Sequence, residues 1–115
     1  MKKQSLIALC DANNMLSEKI KYLLESGQYQ KCATEISLAM YENPDDASPH
    51  NLYGILLESV GKHTAAMKHF RAACALDPTY APAKLNLQLY GSLDHGQTPV
   101  FGTHECETKT AHSAL

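Results

Sequence analysis

The residues of this sequence that are best suited to chemistry are histidines and a cysteine near its C-terminus. His104, Glu105 and Cys106 are consecutive, and His95 and His112 lie on either side of them. Imidazole, carboxylate and thiolate are zinc ligands, so this set is compatible with a metal- or redox-responsive regulator. The spacing matches no structural zinc pattern, and an unstructured segment loses conformational entropy when it binds an ion. We therefore expect surface residues here and predict no metal or other cofactor.

Arrangements for catalysis are equally weak in the rest of the chain. His63 and His69 are separated by about 600° around a helix, a net angle of about 120°, so they lie on different faces and cannot share an ion. The sequence contains no Gly-x-Ser-x-Gly elbow, no glycine-rich phosphate loop and no His-Glu-x-x-His helix. The acidic stretch at residues 42–46, "ENPDD", has the composition of a turn. We predict that the protein is not an enzyme.

Composition and the N-terminus narrow the class of protein. A chain of 115 residues is one domain at most, and its net charge of -2 favours neither nucleic acid nor an anionic membrane as a partner. "MKKQSLIALC" resembles a lipoprotein signal, but its apolar run is shorter than the roughly 7–15 residues expected, and Leu9 is too large for the cleavage site. Without a signal peptide or a Cys-x-x-Cys pair, we expect a cytoplasmic protein with reduced thiols.

The elements that must position any site are revealed by an internal repeat. When the chain is shifted against itself by 34 residues, small, apolar and turn residues coincide. The equivalent pairs include Leu23 and Leu57, Gly27 and Gly61, Ile36 and Phe70, Ala39 and Ala73, and Pro44 and Pro78. A fixed period of this kind indicates a stack of similar supersecondary units.

Each copy has the pattern of two helices joined by a short turn. Apolar residues recur at helical spacing on both sides of Gly27 and of Gly61, and Pro44 and Pro78 end the copies. The turns are about two or three residues long, which makes the helices of each pair antiparallel. Gly54 on one helix leaves room for a close approach by the next, and Phe70 fills the remaining space.

This pattern resembles the tetratricopeptide repeat family, with repeats at residues 13–46 and 47–80 and a capping helix at 81–92. The second repeat carries the family's small, aromatic and turn residues more fully than the first, in which Lys19 is a mismatch. At the family's signature positions the second repeat matches with Gly54, Ala66, Phe70, Ala73 and Pro78, and it departs from the usual residue types at His50, Tyr53 and Leu57. The resemblance implies an all-α fold of antiparallel helix pairs in a short right-handed solenoid. Residues 1–12 are either an extension or a further short helix.

The resemblance also implies a concave groove lined by the first helix of each repeat. In this family such a groove binds an extended or helical peptide. The corresponding candidate residues are Asn14, Ser17, Lys21, Asn51, Ile55, Glu58, Leu85, Asn86 and Leu89. Amide and hydroxyl groups there can bond a peptide backbone over an apolar floor, although Leu85 and Leu89 can equally be packing residues.

One family subtype is disfavoured by these residues. Some members hold a C-terminal carboxylate with lysine, asparagine and arginine side chains in the groove. The equivalent slots here hold Ser17, Lys21, Leu52, Pro82 and Asn86. Because Lys21 is the only basic residue among them and occupies the wrong slot, we do not expect a carboxylate clamp.

We accordingly predict a non-enzymatic protein-interaction scaffold with a protein or peptide partner. An assembly or secretion chaperone that shields a partner's segment is the alternative, beside the metal- or redox-responsive regulator. Two repeats are fewer than usual, so self-association or a partner would complete the stack.

Residues 93–115 have no helical period and few large apolar residues, which predicts a flexible tail. The competing interpretation is a short linear segment, with Val100 and Phe101 as its anchor, that lies in a groove of this or another molecule.

Overall fold

The computed structural model describes residues 6–92 and 98–106, with side chains from residue 12 onward. Five α-helices account for most of them, and residues 103–106 add one helical turn. The helices are α1 Leu6–Glu25, α2 Tyr29–Glu42, α3 Ala47–Ser59, α4 His63–Leu76 and α5 Ala81–Gly91. The described part of the chain contains no strand, so the predicted all-α class is confirmed.

Each helix packs against its neighbours in sequence order. The pairs α1–α2, α2–α3, α3–α4 and α4–α5 are in contact, and α3 also contacts α1 and α5. The first helix of each pair therefore lies beside the first helix of the next, in the order α1, α3, α5. These three helices present one continuous face.

The period seen in the sequence is also a period of the structure. Helix bounds recur 34 residues apart, from 25 to 59, 29 to 63, 42 to 76 and 47 to 81. Gly27 and Gly61 occupy the same place in the two short turns, with φ of 75° and 81°. Glycine adopts this left-handed conformation without the steric penalty of a side chain, which explains its place at the end of both helices.

The N-terminal residues do not form the separate short helix considered from the sequence. α1 begins at Leu6 and runs without a break to Glu25, so residues 6–12 extend the first helix of the first repeat. Residues 1–5 lie outside the described residues. At the other end, α5 spans Ala81–Gly91, close to the capping helix predicted at 81–92.

The main core lies between the helix pairs and depends on a close approach at Gly54. Phe70 is fully buried, and its ring is parallel to that of Tyr90, with centroids 5.8 Å apart. A Cβ atom added at Gly54 would lie 2.5 Å from Cε1 of Phe70. This distance leaves no room for a methyl group, so glycine is required for α3 and α4 to pack at this spacing.

The three cysteines whose side chains the structure describes are free thiols. Cys32 is fully buried, and burial raises the pKa of its thiol, which donates a weak hydrogen bond to the Ile20 carbonyl. Cys74 and Cys106 are half-buried and also free, while the side chain of Cys10 lies outside the described residues. Cys32 thus serves as a small packing residue.

We expect Gly54→Ala to lower the free energy of unfolding by about 1–3 kcal/mol, because the new methyl group meets the Phe70 ring. The cost should shrink in a Phe70→Leu background, where the ring is absent. Urea denaturation of the wild type, both single variants and the double variant measures this coupling.

Gly91→Ala is the matched control, because a Cβ there lies 3.6 Å from the end of the Met67 side chain, an ordinary contact. It should change stability by less than about 1 kcal/mol. Additive effects of Gly54→Ala and Phe70→Leu would contradict the close approach.

A pair of half-buried histidines connects α3 to α4. His50 Nδ1 and His69 Nδ1 are 3.2 Å apart, so one ring must donate and the other accept. The edge of Tyr53 packs against His69, with ring centroids 4.6 Å apart. Desolvation lowers the pKa of both histidines, and the charge of His50 lowers that of His69 further, whereas Asp46 opposes the shift at His50.

This pair should make stability depend on pH. Because both folded-state pKa values lie below that of an unfolded histidine, the unfolded chain binds protons first, and stability should fall as the pH drops from about 7 to about 5. His69→Gln should flatten this dependence in urea titrations, whereas His63→Gln at an exposed site should retain it. An equal slope in wild type and His69→Gln would exclude the pair as its source.

Candidate functional site

The face formed by α1, α3 and α5 is occupied by residues 98–106 of the same chain. We call these residues the tail segment and the face that they contact the groove. Each of the three helices contributes a side chain that bonds the main chain of the tail segment, namely Ser17, Asn51 and Asn86. Val100 and Phe101 are only 2% and 7% exposed, so the segment is inserted rather than laid on the surface.

The centre of the groove is a pair of buried asparagines that bond both main-chain groups of Val100. Asn86 Oδ1 accepts the Val100 N–H at 2.7 Å, and Asn86 Nδ2 donates to the Val100 carbonyl at 2.8 Å. Asn51 Nδ2 donates to the same carbonyl at 3.0 Å, and Asn51 Oδ1 accepts from Asn86 at 2.8 Å. Both asparagines are fully buried, and these bonds satisfy polar groups that would otherwise be costly to bury.

Ser17 continues this main-chain recognition toward α1. Its Oγ lies 2.9 Å from the Phe101 carbonyl and 2.8 Å from the Asn13 carbonyl, so one hydroxyl proton serves two acceptors. The Phe101 side chain joins the apolar core that contains Ile55 and Ile20. The tail segment therefore contributes a side chain to the core, and its main chain is hydrogen-bonded to the helices.

The next position of the tail segment, Gly102, leaves little space for a side chain. Gly102 is buried, and a Cβ there would lie 3.0 Å from Ser17 Oγ and 3.1 Å from the His104 ring. These distances are tighter than ordinary contacts, so any substitution must displace Ser17, His104 or the main chain. Glycine at this position therefore allows close approach to α1 without displacing these neighbours.

Ionisable side chains of the tail segment contact ionisable side chains of α1 at the C-terminal end of the segment. Glu105 Oε1 accepts the Phe101 N–H at 3.1 Å, and Oε2 of the same carboxylate is 3.4 Å from Lys21 Nζ. His104 Nε2 lies 2.7 Å from Glu18 Oε2. Lys21 Nζ also lies 5.7 Å from the centroid of the Phe101 ring, within the range of a cation–π contact.

Two of the residues considered for a metal from the sequence, His104 and Glu105, lie together here with Glu18. Ligand atoms of Glu18, His104 and Glu105 lie within 4.8 Å of one another, but the thiol of Cys106 instead contacts the Gly102 carbonyl at 3.9 Å. His95 and His112 lie outside the described residues. The hydrogen bonds and the ion pair with Lys21 account for the grouping.

The predicted groove residues divide into several environments. Ser17, Lys21, Asn51 and Asn86 bond the tail segment, and Ile55 shares its core. Asn14 borders a small cleft beside the segment, which is lined also by Asn13, Ser17, Ser48, Tyr80, Gly102 and Thr103.

The other three candidates, Glu58, Leu85 and Leu89, have no hydrogen bond to the tail segment among the described contacts. Glu58 pairs with His63 at 2.5 Å, within its own helix pair. Leu85 and Leu89 are half-buried on α5. Sequence reasoning missed Glu18, whose only signal is its place one turn before Lys21.

The order of the tail segment is the main difference from the expected flexible tail. Residues 98–106 lie in the groove of their own molecule, as the competing interpretation with Val100 and Phe101 as anchor proposed. Low apolar content misleads here because the groove, rather than the segment itself, supplies the partners that order it. Residues 93–97 and 107–115 lie outside the described residues.

Comparison of the chain with family models, with curated proteins and with solved structures found no match. Among the described helices, none combines the length and apolar character needed to cross a bilayer.

Asn86→Ala should expose the Val100 amide to solvent exchange, because Asn86 Oδ1 is the acceptor of that N–H. We also expect the free energy of unfolding to fall by about 1–3 kcal/mol as the partners of Asn86 lose a bond. Hydrogen exchange measured by NMR would test this, with Gln88→Ala, an exposed site on α5, as control. Equal protection of Val100 in the wild type and Asn86→Ala would contradict the bond.

Proposed function

We propose that the protein is a non-enzymatic interaction module whose groove binds an extended polypeptide segment of another protein. The observation that carries the proposal is the bonding of one main chain by side chains from three helices, Ser17, Asn51 and Asn86. Main-chain N–H and carbonyl groups in an extended segment are common to all polypeptides, so such a groove recognises a peptide as such.

The repeat period supports placing this module with tetratricopeptide-like proteins. Helix pairs at 34-residue spacing and a groove on the first helices agree with what the resemblance implies. A cytoplasmic location fits the free thiols of Cys32, Cys74 and Cys106. A chaperone that shields a partner's segment would use the same groove, so it is a biological variant of the proposal.

Exposed apolar residues on α1 support self-association as an additional property. Met15 and Tyr22 on α1 are 74% and 66% exposed. The residues that occupy the same repeat positions on α3, Pro49 and Leu56, are buried, and α3 packs against both α1 and α2. A further repeat, supplied by a partner or a second copy, would cover the exposed pair in the same way.

Peptide binding to the full chain tests the proposed function. In a Val100→Asp receptor, a buried carboxylate should expel the tail segment and free the groove. A fluorescently labelled peptide with the wild-type sequence of residues 98–106 should then bind saturably in reducing buffer, as measured by anisotropy.

Adding Asn86→Ala to this receptor should weaken binding by about tenfold or more, since about 1.4 kcal/mol corresponds to a tenfold change. Adding Gln88→Ala should leave the affinity unchanged. No binding by the folded receptor, or the same affinity with Asn86→Ala, would refute the groove as a peptide site.

A further inference from the structure

We propose that the tail segment is a built-in competitor for the groove and that it displays the chemistry of the partner's segment. That segment would carry an apolar residue, an aromatic residue and a glycine in succession, with a carboxylate four positions after the aromatic residue. This inference rests on the proposed function, because it names the ligand class and the regulation of the same site.

The asparagine pair alone does not select a sequence. Asn51 and Asn86 bond the N–H and carbonyl of Val100, which any residue except proline would present. These bonds fix the register of the segment in the groove. Selectivity must come from the side chains that flank the bonded position.

Two positions impose steric requirements on a ligand. Phe101 is nearly buried in the core that contains Ile20 and Ile55, so a small or charged residue there would leave a void or an unpaired charge. Gly102 lies so close to Ser17 that a Cβ would be 3.0 Å from its Oγ. An aromatic residue followed by glycine is therefore the central element of the ligand.

The carboxylate requirement comes from charge and hydrogen bonding together. One oxygen of Glu105 accepts the Phe101 N–H, and the other faces Lys21 at 3.4 Å. A ligand without this carboxylate would leave that N–H and the ammonium group without their partner. Because Lys21 is 40% exposed, salt should weaken this part of the recognition.

Competition follows from where the tail segment is attached. The segment follows α5 in the same chain and thus faces its groove at a high effective concentration. The contacts at its far end involve the side chains of Glu18, His104 and Lys21, which are 62%, 38% and 40% exposed, so water can compete for them. A partner segment would replace the bound tail, with an apparent affinity reduced by the fraction of chains in which the groove is open.

The first arm of the experiment measures competition in the full chain. The probe is the labelled peptide with the wild-type sequence of residues 98–106, and the receptors are the wild type, Val100→Asp and Gly102→Val. Both variants should bind the probe at least about tenfold more tightly than the wild type. Gly102→Val changes neither Val100 nor Phe101, so competition can still be measured with this variant if Val100→Asp does not fold.

The second arm measures ligand chemistry on the receptor with the open groove. Probes with Phe101→Ala or Gly102→Ala should bind at least about tenfold more weakly than the parent peptide. A Glu105→Gln probe should lose affinity severalfold at low salt and approach the parent at high salt. The matched control probe is Thr103→Ala, at an exposed position, and it should bind like the parent.

The outcomes separate this inference from the proposed function. Equal probe affinity for the wild type and both folded variants would overturn the competitor. Binding that ignores the phenylalanine, glycine and glutamate changes would overturn the stated ligand chemistry while leaving a peptide site in place. Failure of folded, open receptors to bind any probe would overturn the proposed function, and this inference with it.

Discussion

The structure depends on one buried amide network, in which Asn51 and Asn86 bond each other and both main-chain groups of Val100. Two fully buried carboxamides without partners would oppose folding strongly. Their position on adjacent first helices means that a third element must complete the network. In this molecule the tail segment completes the network. The asparagine side chains of the groove therefore need the main-chain groups of a bound segment as hydrogen-bond partners.

The repeat explains why the network stands where it does. Helix pairs that recur at 34-residue spacing bring equivalent faces of α1, α3 and α5 side by side. The close approach at Gly54 and Phe70 sets how α3 packs on α4, and Tyr90 connects that core to α5. Packing behind the groove thus determines the spacing of the asparagines within it.

The sequence predicted the helix pairs, and four of its candidate binding residues lie against the tail segment. Periodic apolar residues located the helix pairs, and the inner positions of the first helices included Ser17, Lys21, Asn51 and Asn86. It left the order of residues 98–106 open between a flexible tail and a segment anchored by Val100 and Phe101, because the partners of that segment lie far away along the chain. The His50–His69 pair was missed for the same reason, since their contact depends on how α3 packs on α4.

An NMR titration of the isotope-labelled full chain with an unlabelled peptide of residues 98–106 tests the central claim most directly. The claim is that one groove holds the tail segment and can hold another segment by the same main-chain bonds. It predicts a nuclear Overhauser contact between the Val100 amide and the Asn86 side chain, which weakens as the peptide saturates the groove. Peptide binding that leaves this contact intact, or a free chain that lacks it, would contradict the account.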